Sequence, residues 1–144
     1  MLSFEKLNEQ NHKITELSHV VLHLIKERSM CDLDTTCDIF FMFVKSVNEH
    51  FKLEDTSVYG KLLSYGEENV NKVGSHFMSG SVEIKKIFQS YIKKWCHNNR
   101  LRIKNHEKFV KETEDMMRLV LNRVQDETEN LYPLVRKVDQ EQAA

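Results

Sequence analysis

Helix breakers are almost missing from this chain. Its 144 residues contain 4 Gly and 1 Pro, whereas turn-rich β folds and parallel α/β sheets need a breaker about every ten residues. An all-α fold of a few long helices is the expectation. Three polar interruptions divide the sequence: RSMCDLDTT around 28–36, SYGEEN around 64–69 and HNNR at 97–100. The first segment runs from about Ser3 to Glu27, with Leu7, Ile14, Leu17, Val21, Leu24 and Ile25 at steps of three and four. The second opens at Asp34 or Thr35, both good caps, carries Phe40, Phe43, Val47, Phe51, Val58 and Leu62, and reaches as far as Leu63. The third, Glu67 to Cys96, is amphipathic from Ile84 to Trp95 and weakened near Gly74 and Gly80, where a kink is expected. The fourth, Leu101 to Arg136, holds Val110, Met116, Met117, Val120, Val124 and Leu131, with Pro133 disturbing its last turn. Four such helices joined by short turns read as one domain over 1–140, an up-down-up-down antiparallel four-helix bundle.

Charge and hydropathy remove several functions. Lys plus Arg is 21 and Asp plus Glu is 22, so no global field draws the chain to nucleic acid or to an anionic membrane surface. No apolar run approaches the ~20 residues of a membrane-spanning helix. The start, MLSFEKLNEQ, lacks the pattern of a secretory signal. Cys31, Cys37 and Cys96 have no CxxC spacing and suit reduced, packed thiols. A cytoplasmic protein is expected.

Chemistry enters where the apolar stripes are broken. His50 and Glu54 fall among Phe43, Val47 and Val58 at helical steps, and Arg123 and Glu127 fall among Val120, Val124 and Leu131. The segments HFKLEDTSVYG at 50–60 and RVQDETENLYP at 123–133 share Glu at the fifth position and Tyr at the tenth, an internal two-fold repeat. His76 lies between Val73 and Phe77. In an antiparallel hairpin, residues equally far from the turn share a height, at about 1.5 Å per residue. His12 and His50 are each 19 residues from Cys31, while His76 and Arg123 are 23 and 24 from Asn99. These four are expected in one layer, with Glu54 and Glu127 one turn away.

Inward imidazoles and carboxylates from several helices are how helical bundles hold a pair of iron ions. The pattern resembles the hemerythrin-like (HHE cation-binding) family, which places a His on helix one, His-x-x-x-Glu on helix two, a His on helix three and His-x-x-x-Glu on helix four. The likeness spans nearly the whole chain. It implies metal ligation by His12, His50, Glu54, His76 and Glu127, with Tyr132 and Pro133 following the last carboxylate as an aromatic residue and Pro often do in that family. It also implies a non-haem iron protein that senses, stores or handles oxygen, nitric oxide or iron. Arg123 replaces the fourth-helix His, and a guanidinium has no lone pair for a metal. A weakened di-iron centre, a single-metal centre and a metal-free ionic cluster all stay open, with Arg123, Tyr59 and Tyr132 bordering the ligands.

A shorter likeness, carried by "HF" before the second-helix carboxylate and by Arg four residues before Glu127, is to Rsd/AlgQ-type anti-sigma regulators. It implies a metal-free bundle that binds a protein partner. On a helical wheel His12 lies with Glu16, His19 and His23, almost opposite Ile14, Leu17 and Val21. His19 is therefore the alternative helix-one ligand. If His12 faces inward, Ile14, Leu17 and Val21 become a homodimer or partner surface. Catalysis is not implied, because no nucleophile–base pair is legible. Arg100, Arg102 and Lys104 read as a solvated helix start.

Overall fold

The computed structural model describes residues 3–143; Met1 and Leu2, at the start of the expected domain, lie outside them. The chain is all-α. Helix α1 spans Phe4–Ile25 and α2 spans Asp34–Ser57, joined by a 3-10 turn at Arg28–Asp32. A short helix α3 (Tyr59–Leu63) follows α2 after Val58 alone, and α4 (Glu68–Trp95) comes next. Two-residue strands β1 (Cys96–His97) and β2 (Arg100–Leu101) pair antiparallel and lead to α5 (His106–Asp126). A π turn at Glu127–Leu131 then passes directly into α6 (Tyr132–Ala143). No helix among the described residues is long and apolar enough to cross a membrane.

Local chemistry accounts for the departures from expectation. The fourth long helix begins at His106 rather than Leu101, because Asn98 and Asn99 adopt φ of 51° and 60° and close a hairpin, and Asn105 then caps α5 by accepting from the Lys108 amide at 3.1 Å. Asp34 and Thr35 do not cap α2; Asp34 is its first residue and pairs with Arg100 at 2.8 Å. Pro133 does not end the last helix. Lacking an N–H for the Glu129 carbonyl, it is accommodated by the wider π turn before it, in which the Tyr132 amide reaches back to the Glu127 carbonyl.

Helix α4 runs unbroken through Gly74 and Gly80. Both glycines serve close approach rather than flexibility. A Cβ at position 74 would lie 2.8 Å from the Leu62 Cβ of α3, and one at position 80 would lie 2.7 Å from an Arg123 guanidinium nitrogen.

Helix α1 packs most extensively on α2 and also meets α5, while α4 packs on α3 and α5. The buried apolar residues form two clusters. One joins Ile14, Val21, Phe43, Val47, Ile84, Phe88, Phe109 and Val120; the other joins Leu7, Val58, Leu62, Phe77, Leu131 and Val135. Ile14 and Val21 are buried and Leu17 packs against the same cluster. The face suggested as a dimer or partner surface is thus consumed inside the molecule.

Replacing Gly74 by Ala should destabilise the fold by about 2 kcal/mol through overpacking against a β-carbon that cannot swing away. Urea unfolding monitored by circular dichroism checks this.

Candidate metal centre

Between the two apolar clusters lies a polar layer. Each long helix supplies a part: Asn11 from α1, His50 and Glu54 from α2, Ser81 from α4, and Arg123 from α5, with Glu127 at the junction of α5 and the π turn. In α1 the buried stripe is Leu7, Asn11, Ile14, Ser18, Val21 and Ile25, at alternating steps of four and three. Periodicity therefore carries Asn11 inward, along with the apolar residues on either side of it.

His50 is 2% exposed and Glu54 and Glu127 are fully buried. One ligand atom from each lies within 4.8 Å of the others, so the group can hold a metal ion. His50 Nε2 is 3.0 Å from Glu127 Oε1 and 3.3 Å from Glu54 Oε1. Its other nitrogen, Nδ1, donates to Gln10 Oε1 at 3.0 Å, which fixes the ring and leaves Nε2 facing the carboxylates. A carbonyl partner on the far ring nitrogen is the usual support of a metal-ligating imidazole.

Arg123 closes one side. Its Nε donates to Glu127 Oε2 at 3.2 Å, and its Nη2 donates to the Tyr59 hydroxyl at 2.6 Å and to the Phe77 carbonyl at 2.8 Å. The guanidinium also stands 5.0 Å from the centre of the Phe77 ring. Gly80 provides the space it fills. Tyr132 closes the opposite side: its hydroxyl is 3.4 Å from His50 Nε2, donates to Glu54 Oε2 at 3.5 Å and accepts from Asn11 Nδ2 at 3.3 Å.

The two carboxylates are driven apart in acidity. Burial, the hydrogen bond with Glu127 and the charge of Glu127 hold the Glu54 carboxyl well above the ordinary range. Burial pushes Glu127 the same way, but hydrogen bonds with Glu54 and His50 and the charge of Arg123 outweigh it and leave Glu127 below the ordinary value. Of the two, Glu54 is the carboxyl that favours its proton and Glu127 the one that favours its charge, beside Arg123.

Two of the expected ligands are elsewhere. His12 has a side chain 75% exposed and pairs with Glu16 at 3.0 Å. It faces away because the stripe through Leu7, Ile14 and Val21 defines the inner face of α1; Gln10 and Asn11 supply that helix's polar groups instead. His19, the alternative, is exposed too. His76 is exposed because the inner stripe of α4 is Val70, Gly74, Phe77, Ser81 and Ile84. Gly74 and Ser81, being small or polar, do not announce themselves as core positions. His50, Glu54, Glu127, Arg123, Tyr59 and Tyr132 do converge as the repeat suggests.

The donor set can be tested against the ions it might take. Glu54 Oε1 is buried without a hydrogen-bond partner among the described residues, and it faces the same space as His50 Nε2. One imidazole and two carboxylates suit a single borderline or hard cation. A pair of ions is not matched, since His12 and His76 point outward and a guanidinium occupies the remaining ligand position. Comparison with protein-family models, curated proteins and solved structures finds no match to this chain.

The opposite shifts of Glu54 and Glu127 give the fold a pH signature. A carboxyl raised on folding adds stability that is complete below its ordinary value and is lost as pH rises through the folded value; lowered Glu127 adds stability that is lost as pH falls through its own. Glu54→Gln should lie within about 1 kcal/mol of the parent at neutral pH and flatten the alkaline loss. Glu127→Gln, which removes the carboxylate partner of the half-buried Arg123 guanidinium, should cost about 3 kcal/mol. Urea titrations from weakly acidic to alkaline pH separate the two.

Proposed function

We propose that this chain is a hemerythrin-like, up-down-up-down antiparallel four-helix bundle that holds one non-haem iron ion at His50, Glu54 and Glu127. It senses, stores or handles oxygen, nitric oxide or iron by binding rather than catalysis. The observation that carries this reading is the convergence, within 4.8 Å, of an imidazole nitrogen and two carboxylate oxygens on buried side chains. His50, Glu54 and Glu127 would hold the ion, and a ferrous ion held there would supply affinity for a small diatomic ligand. The protein's own groups do the rest. Gln10 orients His50, Glu54 would have to give up any proton it carries to bind the ion, and Tyr132 stands beside both as a hydrogen-bond donor. Arg123 holds Glu127 in place and reserves for a fixed positive charge the room of a second ion, whose entry it opposes. The free thiols of Cys31, Cys37 and Cys96 support a cytoplasmic setting.

Arg123 also favours a second reading. Its bonds to Glu127, Tyr59 and the Phe77 carbonyl complete an ionic cluster that needs no metal. In that case the chain is a degenerate bundle acting as an anti-sigma-like regulator, through a surface other than Ile14, Leu17 and Val21.

Anaerobic loading with ferrous iron followed by elemental analysis should give about one iron per chain, falling below about 0.2 in the Glu54→Ala/Glu127→Ala double variant. Less than about 0.2 in the parent overturns the iron reading, and about two overturns the single-ion form of it. Arg123→His separates the readings further. Tighter iron binding supports the metal centre, whereas a loss of about 3 kcal/mol without iron gain supports the metal-free cluster.

A further inference from the structure

At the end of the molecule formed by the β1–β2 hairpin, a cavity of about 450 Å³ opens between the last turn of α4 and the first of α5. Lys93, His97, Arg102, Lys104 and Lys108 line it, with Trp95 in its wall. This volume is in the range of small-ligand pockets. Lys94, also at the cavity, is already neutralised by Glu112 at 2.7 Å. Among the described residues, Lys93, Arg102, Lys104 and Lys108 have no acidic partner within 4 Å. Four uncompensated cations therefore converge on one concave surface of a chain whose net charge is −1. The sequence reading of Arg102 and Lys104 as a solvated helix start missed this, because Lys93 and Lys108 come from segments on either side of the hairpin.

The frame around these cations is built. The Arg102 amide donates to the Trp95 carbonyl at 2.6 Å, which ties the chain after β2 to the end of α4. Asn105 caps α5 through the Lys108 amide. Trp95 stacks edge-on against Phe109 with ring centres 5.3 Å apart, and its indole N–H is buried without an acceptor. Unpaired cations gathered on one concave surface ask for an anion.

We propose that this cavity is a binding site for a small, multiply charged phosphate compound. A single carboxylate leaves most of the positive charge unmatched, whereas a pyrophosphate or phosphate ester offers two or more charges and several acceptor oxygens to Arg102 and the lysines. The concave shape concentrates the field on a ligand of that size rather than along a polymer.

Trp95 is the sole tryptophan of the chain, so its fluorescence reports on this cavity. Titration of the full chain with inorganic pyrophosphate, at ionic strength held constant with chloride, should give a saturable change. Lys104→Gln/Lys108→Gln should weaken the apparent affinity about tenfold, while Lys72→Gln, on an exposed turn of α4, should leave it unchanged. Three results overturn the proposal: no saturable change in the parent, equal affinity in the double variant, or an equal response to chloride alone. Circular dichroism of the double variant checks that it is folded. Should it not be, Arg102→Gln replaces it, with the same outcomes.

Discussion

The ion pair between Arg123 and Glu127 sets the terms for everything around it. A charged pair placed between two apolar clusters loses its hydration, and its mutual attraction offsets that loss only if the remaining lone pairs and protons are satisfied. Each neighbouring group follows from that demand. Tyr59 and the Phe77 carbonyl take the free guanidinium protons, His50 and Glu54 face the carboxylate, and Gly80 makes the room. A one-residue rotation of any long helix would leave part of this set unpaired. The layer therefore acts as a register mark for the helices as well as a site.

The internal repeat is visible in three dimensions. His50, Glu54 and Tyr59 correspond to Arg123, Glu127 and Tyr132, and each half breaks its helix between Glu and Tyr, so that the tyrosine opens the following short helix. The contacts cross between halves. Arg123 binds Tyr59 of the other half, and Tyr132 approaches His50 of the other half. The pairing is two-fold in layout but not in charge, since one half offers an imidazole where the other offers a guanidinium. Burial raises both carboxyls, and the closer hold of His50 and Arg123 on Glu127 turns its shift downward while Glu54 stays raised.

Much of this was legible in the sequence, for identifiable reasons. Long stretches of helical period without breakers gave helix positions to within a few residues, and polar residues at apolar positions on the second and fourth helices singled out His50, Glu54, Arg123 and Glu127. Distance from the turns was a poorer guide than direction around the helix. His12 and His76 lie near the right heights but about 100° around from inward neighbours, Asn11 and Phe77. The stripe Leu7, Asn11, Ile14 contained the correction on α1. On α4 no such signal existed, because Gly74 and Ser81 occupy the inner face and Gly80 serves a side chain 43 positions away. Close approach between distant segments leaves no periodic trace.

The π turn gives the last helix a mechanical property that a continuous rod would lack. A helix yields first where its backbone ladder is irregular. Here that place begins at Glu127 and ends just before Tyr132, so the joint carries one carboxylate of the polar layer and presents Tyr132 directly after it. Helix α6 is also tied to α3 through Asp139 and Lys61. Helices α3 and α6 therefore each deliver one tyrosine to the candidate metal centre and are fastened to one another: Tyr59 opens α3 and holds Arg123, while Tyr132 opens α6 and stands against His50 and Glu54.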